Sequence, residues 1–153
     1  MRGQISLEAI LTVGLAIIVF TSLVNLATER YSSAIELGEM GEAKMFGEFL
    51  AEAIDSVYSN GKGFSIVLRE ERFNLSYLNN IGVSFEICNS NTTIYVIKNT
   101  SKIGSVTRIA RVHIIPNNII ITSNNASEVT VTNNGTNIIV AVGNNIIALG
   151  CRG

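Results

Sequence analysis

From Ala9 to Thr28 no residue carries a formal charge, and Ile, Leu, Val, Phe and Ala dominate the run. As an α-helix rising ~1.5 Å per residue, such a run covers about 30 Å, the hydrocarbon thickness of a bilayer. Arg2 lies before it, and Glu29, Glu36, Glu39 and Glu42 follow it. The positive-inside tendency then keeps the amino terminus in the cytoplasm and places the rest outside.

The pattern beyond the run stays helical but becomes amphipathic. Apolar residues recur at Ile35, Met45, Phe46, Phe49, Leu50, Ala53, Ile54 and Val57, with Glu and Lys between them. Met45, Phe49 and Ala53 share i, i+4 spacing, as do Phe46, Leu50 and Ile54, which predicts a buried helical face. Gly38, Gly41 and Gly47 each weaken a helix by about 1 kcal/mol relative to Ala. Alternatively, they permit close helix–helix approach. No proline precedes Pro116, so one helix is expected from Ser6 to Tyr58. Ser59-Asn60-Gly61-Lys62-Gly63 supplies the stop, with residues that tolerate a left-handed backbone.

After Gly63 the period shifts to that of strands. The expected strands are Phe64–Arg69, Val83–Cys88, Thr93–Lys98, Val106–Ile115, Ile119–Thr122, Val129–Thr132, Ile138–Val142 and Ile146–Leu149. Turns such as Asn133-Asn134-Gly135 and Gly143-Asn144-Asn145 separate them. Many short strands at near-regular spacing predict an antiparallel sandwich or a curled sheet. A sheet wrapped on the amphipathic helix would share its core. The fold class expected is therefore α+β: a long hydrophobic helix followed by a β head, like a lollipop. The division is 1–3 as a leader, 4–58 as the helix (membrane span 9–28, then the amphipathic half) and 59–153 as the head.

Composition sharpens this picture. Only 15% of the 153 residues are charged, and mean hydropathy is +0.37; soluble domains typically carry about 25% charged residues. Net charge is −1 with no long basic patch, so nucleic-acid binding has no electrostatic support. Between Arg111 and Arg152 the only formal charge is Glu128, setting His113 aside. Strand edges so poor in charge are an aggregation hazard unless neighbouring subunits or carbohydrate cover them.

Glu8 stands at the mouth of the apolar run. A carboxylate there costs several kcal/mol if it enters lipid unpaired. A secretory signal has no use for it; such signals have apolar regions of about 7–15 residues and end in small-x-small sites. The best such site here, Asn25-Leu26-Ala27, begins with a poor residue. A plain single-span anchor has no use for Glu8 either. A filament subunit does, if cleavage after Gly3 frees an α-amino group on Gln4 that pairs with a neighbour's Glu8.

Gly3-Gln4-Ile5-Ser6-Leu7-Glu8 resembles the class III signal peptide of archaeal type IV prepilins. In that family Gln-x-Ser-x-Glu follows the cut glycine, and a long hydrophobic helix comes directly after. The family often has an aromatic or leucine just after the glutamate and a leucine four positions on; Ala9 and Thr12 stand there here. The resemblance covers residues up to about Ala27. It implies cutting by a membrane-embedded prepilin peptidase between Gly3 and Gln4, and assembly through Gln4, Ser6 and Glu8. The implied partners are identical subunits in a helical homopolymer, the peptidase, the pilus assembly machinery in the membrane, and surfaces or cells as adhesion targets. The precursor would sit in the cytoplasmic membrane and the mature filament would be extracellular. A minor or priming pilin, an archaellin, and an anchored surface-binding module that never polymerises are the alternatives.

Asn-x-Ser/Thr sequons fall at Asn74, Asn91, Asn99, Asn125 and Asn134, all in the head. Chance also makes sequons in a chain this rich in Asn, Thr and Ser. Cys88 and Cys151 read as a disulfide staple for the C-terminal tail in an extracellular protein, with two unpaired thiols as the alternative. His113, the single histidine, reads as a surface or packed residue, and no metal site is expected. Glu70-Glu71 beside Arg69 and Arg72 reads as a solvated turn. No catalytic residue and no cofactor are expected: there is no phosphate-binding glycine loop after a strand and no nucleophile–base arrangement.

Overall fold

The computed structural model describes residues 2–69, 72–100, 105–124, 128–143 and 146–151, with side chains outside 2–6, 100 and 105. The chain divides into two compact units, 1–39 and 40–153. Helix α1 spans Arg2–Asn60 without a break. Its stop follows the expected chemistry: Gly61 and Gly63 both take positive φ, at 82° and 88°. The pair Glu70-Glu71 lies outside the described residues.

The described residues of the first unit are helix alone. The second unit is α+β, and among its described residues there are eight strands in two four-stranded sheets. They are β1 (Ser65–Leu68), β2 (Val83–Cys88), β3 (Thr93–Thr100), β4 (Ser105–His113), β5 (Ile119–Ser123), β6 (Val129–Asn133), β7 (Ile138–Val142) and β8 (Ile147–Leu149). One sheet runs β1-β6-β7-β5 and the other β4-β3-β2-β8.

The sheets are mixed where an antiparallel head was expected. β5 pairs with β7 in parallel, and β8 pairs with β2 in parallel. The reason is connectivity. β6 and β7 form an antiparallel hairpin closed by Asn134-Gly135. β6 takes the far side of β7, so β5 lies on the near side, running with β7. A short helix α2 (Leu75–Asn80) also interrupts the expected loop before β2. The Asn74 side chain caps it by accepting the Tyr77 N–H at 3.0 Å, while Leu75 and Leu78 bury one face.

One core unites the second unit. From α1 it takes Ala43, Phe46, Leu50, Ala53, Ile54 and Val57; the alternate residues of both sheets complete it. Burying each large side chain of this kind favours folding by roughly 1.5–3 kcal/mol. Phe46 is its centre, edge-on to Phe73 and Phe85 at centroid distances of 5.3 and 4.9 Å. The expected stripe through Phe46, Leu50 and Ile54 is buried, whereas Met45 and Phe49 stay substantially exposed at its flank.

Gly47 is also corrected. It serves helix–sheet approach: a Cβ there would stand 2.8 Å from Val96 Cγ2 of β3. Gly38 and Gly41 meet nothing within 4 Å. Two polar contacts tie α1 to strand ends. Asp55 Oδ1 accepts the Ile115 N–H at 2.8 Å, and Asn133 Nδ2 donates to the Val57 carbonyl at 3.3 Å.

Candidate functional site

In the first unit the large side chains of the apolar run are exposed. Ile10, Leu15, Ile18 and Phe20 are each about two-thirds exposed, at 67%, 67%, 68% and 68%. α1 is long and apolar enough to cross a membrane. Exposed apolar area on this scale marks a surface that something else covers.

The polar residues within the run are Thr12, Thr21, Ser22, Asn25 and Thr28. All four hydroxyls donate within the helix. Thr12 Oγ1 bonds the Glu8 carbonyl at 2.8 Å, Thr21 bonds that of Ile17 at 2.8 Å, and Ser22 bonds that of Ile18 at 2.9 Å. Thr28 is shared between the carbonyls of Val24 and Asn25. A hydroxyl satisfied by its own backbone enters an apolar medium at little cost. Sequence reading missed this. The available signal was that every hydroxyl has a helical carbonyl four residues before it.

Gly3, Gln4 and Ser6 lie on the helical backbone of α1, and their side chains are outside the described set. Glu8 is exposed at the start of the apolar run. The helix therefore carries the carboxylate directly into the uncharged segment with no turn between them.

The sequons differ in what their amides already do. Asn134 is exposed at the β6–β7 turn, and its Oδ1 accepts the N–H groups of Thr136 and Asn137 at 2.9 and 2.7 Å. Asn74 is exposed as the α2 cap. Asn91 is exposed but donates its Nδ2 to the Tyr95 hydroxyl at 2.6 Å. Asn99 lies within β3, opposite Val106. Asn125 is outside the described residues. A glycan forms on the amide nitrogen in an exposed loop, so Asn134 and Asn74 are presented best.

Cys88 and Cys151 are joined, with Cα atoms 4.9 Å apart across 63 residues of sequence. The bond fastens the segment after β8 to the end of β2, beside the three parallel register pairs of those strands. Non-reducing peptide mapping of the protein from its native host is expected to recover the two cysteine peptides cross-linked. Cys151→Ser should then lower unfolding stability by about 4 kcal/mol, the loop-entropy value for a closure this long. Free alkylatable thiols at both positions would contradict this.

His113 is exposed on β4, its Nδ1 at 3.4 Å from Thr92 Oγ1. Among the described residues no group of three His, Cys, Asp or Glu side chains is placed to hold a metal ion. No family model, no curated protein and no solved structure matches the chain.

Proposed function

We propose that this chain is the precursor of a structural subunit of an archaeal type IV-like adhesive pilus. The observation that carries the reading is Glu8 standing directly before an uncharged, exposed helical run, within Gly3-Gln4-Ile5-Ser6-Leu7-Glu8. The precursor sits in the cytoplasmic membrane with its amino terminus inside. A prepilin peptidase cuts after Gly3, so the apolar run stays in the mature chain. The run then leaves lipid and packs against the runs of neighbouring subunits. Burial of its apolar surface drives assembly wherever water or polar head groups are the alternative.

Several features support this reading. The internal satisfaction of Thr12, Thr21, Ser22 and Thr28 suits both lipid and a dry helix bundle. The disulfide suits a head held outside the cytoplasm. The heads coat the filament, meet surfaces or other cells, and carry carbohydrate at Asn134 or Asn74. Intact-mass measurement and N-terminal sequencing of filaments from the native host test the reading. The expected mature chain begins at Gln4. Material that retains Met1 to Gly3 and never polymerises would favour a plain anchored module instead.

A further inference from the structure

The sheet β1-β6-β7-β5 has one face in the core and one face outward. Val129, Val131, Ile138, Val140 and Val142 are buried, and Ile66, Leu68 and Ile121 pack against the core. The alternate positions form the outer face, in two rows across the strands. One row runs Ser65, Thr132, Ile139 and Ile120; the other runs Val67, Thr130, Ala141 and Thr122. All of them are exposed or half-buried. Ser65 Oγ and Thr132 Oγ1 are hydrogen-bonded at 3.0 Å, which fixes the hydroxyl end of the first row.

None of these four strands carries a charged residue. The rest of the head differs. Residues 61–153 hold eight bases against four acids, a net of +4. Two heads therefore repel, and an uncharged face is where they can meet with least repulsion.

The relief of the face is self-complementary. On β7 Ile139 is a bump and Ala141 a hollow. Val131 and Val140 are partners in register, each midway between the two rows. A two-fold axis crossing the strands at that level seats each Ile139 on the other copy's Ala141, and each Thr130 against the other copy's Thr132. The same axis brings the start of β6 in one copy to the end of β6 in the other. Glu128 stands just before β6. Lys62 lies beside the turn after β6, where a Cβ on Gly135 would be 2.9 Å from Lys62 Cδ. Each Glu128 is thereby carried to the end that holds the other copy's Lys62. Apolar and hydroxyl groups at the centre with charges at the rim are the anatomy of a protein interface.

We infer that the outer face of β1-β6-β7-β5 seats the same face of a second copy. The contact is isologous and closes with two copies. Their strands run antiparallel across the axis, so the two heads point in opposite directions, an arrangement that joins copies held on two facing surfaces. The face measures ~19 Å by ~17 Å from ordinary strand spacing and rise. The pair then buries roughly 650 Å² in total, about half of what the smaller stable interfaces bury. A single pair is weak, and many pairs acting between two surfaces hold together. This goes beyond the filament reading and does not depend on filament formation.

The test inserts the full chain into phosphatidylcholine vesicles and follows their clustering by light scattering. Wild-type vesicles are expected to cluster. Ala141→Arg and Ile139→Glu each place a charge on the face, and each is expected to slow clustering about tenfold. Mixing the two variant populations is expected to restore it, because position 141 of one copy meets position 139 of the other. Ser84→Arg, on the outer face of the other sheet, is expected to leave clustering nearly unchanged. Circular dichroism and thermal unfolding check that each variant folds; should one fail, Thr132→Arg mixed with Thr130→Glu probes the same axis on β6. Wild-type vesicles that stay apart, single variants that cluster like wild type, or a mixture that stays apart overturn the inference. So does clustering of chain-bearing vesicles with bare ones, which would make the partner a lipid surface. Clustering by a chain that forms no filaments in its host keeps this inference and sinks the filament reading.

Discussion

Under the proposed function, Gly3→Val is expected to leave the full-length precursor in the membrane and to abolish filaments. Under the proposed function, the scissile bond lies between Gly3 and Gln4, on the cytoplasmic side of the apolar run. Gly3 is on the helical backbone of α1, although glycine is a poor helix former. A peptidase must draw this segment out into its cleft. Glycine favours both the opening and the fit, because it has no side chain to exclude. Valine stiffens the backbone and adds bulk at the cut. The uncut chain keeps Met1 and Arg2, and Gln4 keeps its peptide bond. No α-amino group then exists to meet a neighbour's Glu8. The measurement is a mass comparison of membrane and filament fractions, and the expected loss of filaments is complete. Normal filaments from Gly3→Val would sink the assignment of the cut.

Glu8→Gln separates processing from assembly. The substitution keeps size and removes charge. The cut after Gly3 is expected to proceed, and the helix to insert as before, because neither step needs an ion pair. Filament yield is expected to fall steeply, or the filaments to lose axial register. The physical reason is desolvation. Glu8 is exposed, and under the proposed function the precursor would hold it where head groups and water can reach it. In a helix bundle it would be enclosed by neighbouring apolar runs, and an unpaired carboxylate there costs several kcal/mol even after relaxation. The freed Gln4 amino group of a neighbour offsets that cost. Only one axial offset brings the two groups together, so the pair also sets the register. Two simpler roles give different outcomes. If Glu8 only favoured the positive end of the helix, it would contribute less than about 1 kcal/mol and Glu8→Gln would assemble nearly normally. If Glu8 served only recognition by the peptidase, uncut precursor would accumulate. Measuring processing and filament yield on the same cells distinguishes the three.

How far the fold was legible depended on the range of the interaction concerned. The α1 stop was local chemistry, and Gly61 and Gly63 behave as the sequence implied. β2 and β7 were legible to the residue: in β2 Val83, Phe85 and Ile87 alternate with Ser84 and Glu86, and β7 is a short apolar run bounded by Asn137 and Gly143. α2 was not legible: six residues give too little periodicity, and Asn74 was read only as a sequon where it also caps the helix. The two parallel pairings were beyond reach for a different reason. Alternation shows which face a residue takes but not which strand lies beside it. Gly47 shows the same limit. Its place in a helical pattern marked a weakness or a close approach, and only the fold shows that the approaching surface is Val96 of a strand.

The candidate site divides along the same line. The apolar run and Glu8 were readable because their meaning depends on order along the chain alone. The sequons were readable as a pattern. Their difference was not: Asn91 is engaged by Tyr95, whereas Asn134 directs its oxygen inward at a turn. The cysteine pair was readable as one of two alternatives, and the pairing itself required the parallel approach of β8 to β2.

The two strand pairings most distant in sequence have a consequence for timing. β1 meets β6, with Ser65 opposite Thr132, and β2 meets β8, with Phe85 opposite Ile147. Each sheet thus needs a strand from near the far end of the head before its order is complete. Loop closure over such distances is slow compared with helix formation. The head therefore folds late, after most of its chain is available, and not strand by strand. Until then, β5, β6 and β7 stand as β-branched segments with Glu128 as the only acid nearby and no lysine or arginine among them. This is the interval in which the chain is most exposed to aggregation. Under the proposed function, each head would be tethered to the membrane by its own apolar run, which would hold the folding chains apart while the last strand arrives.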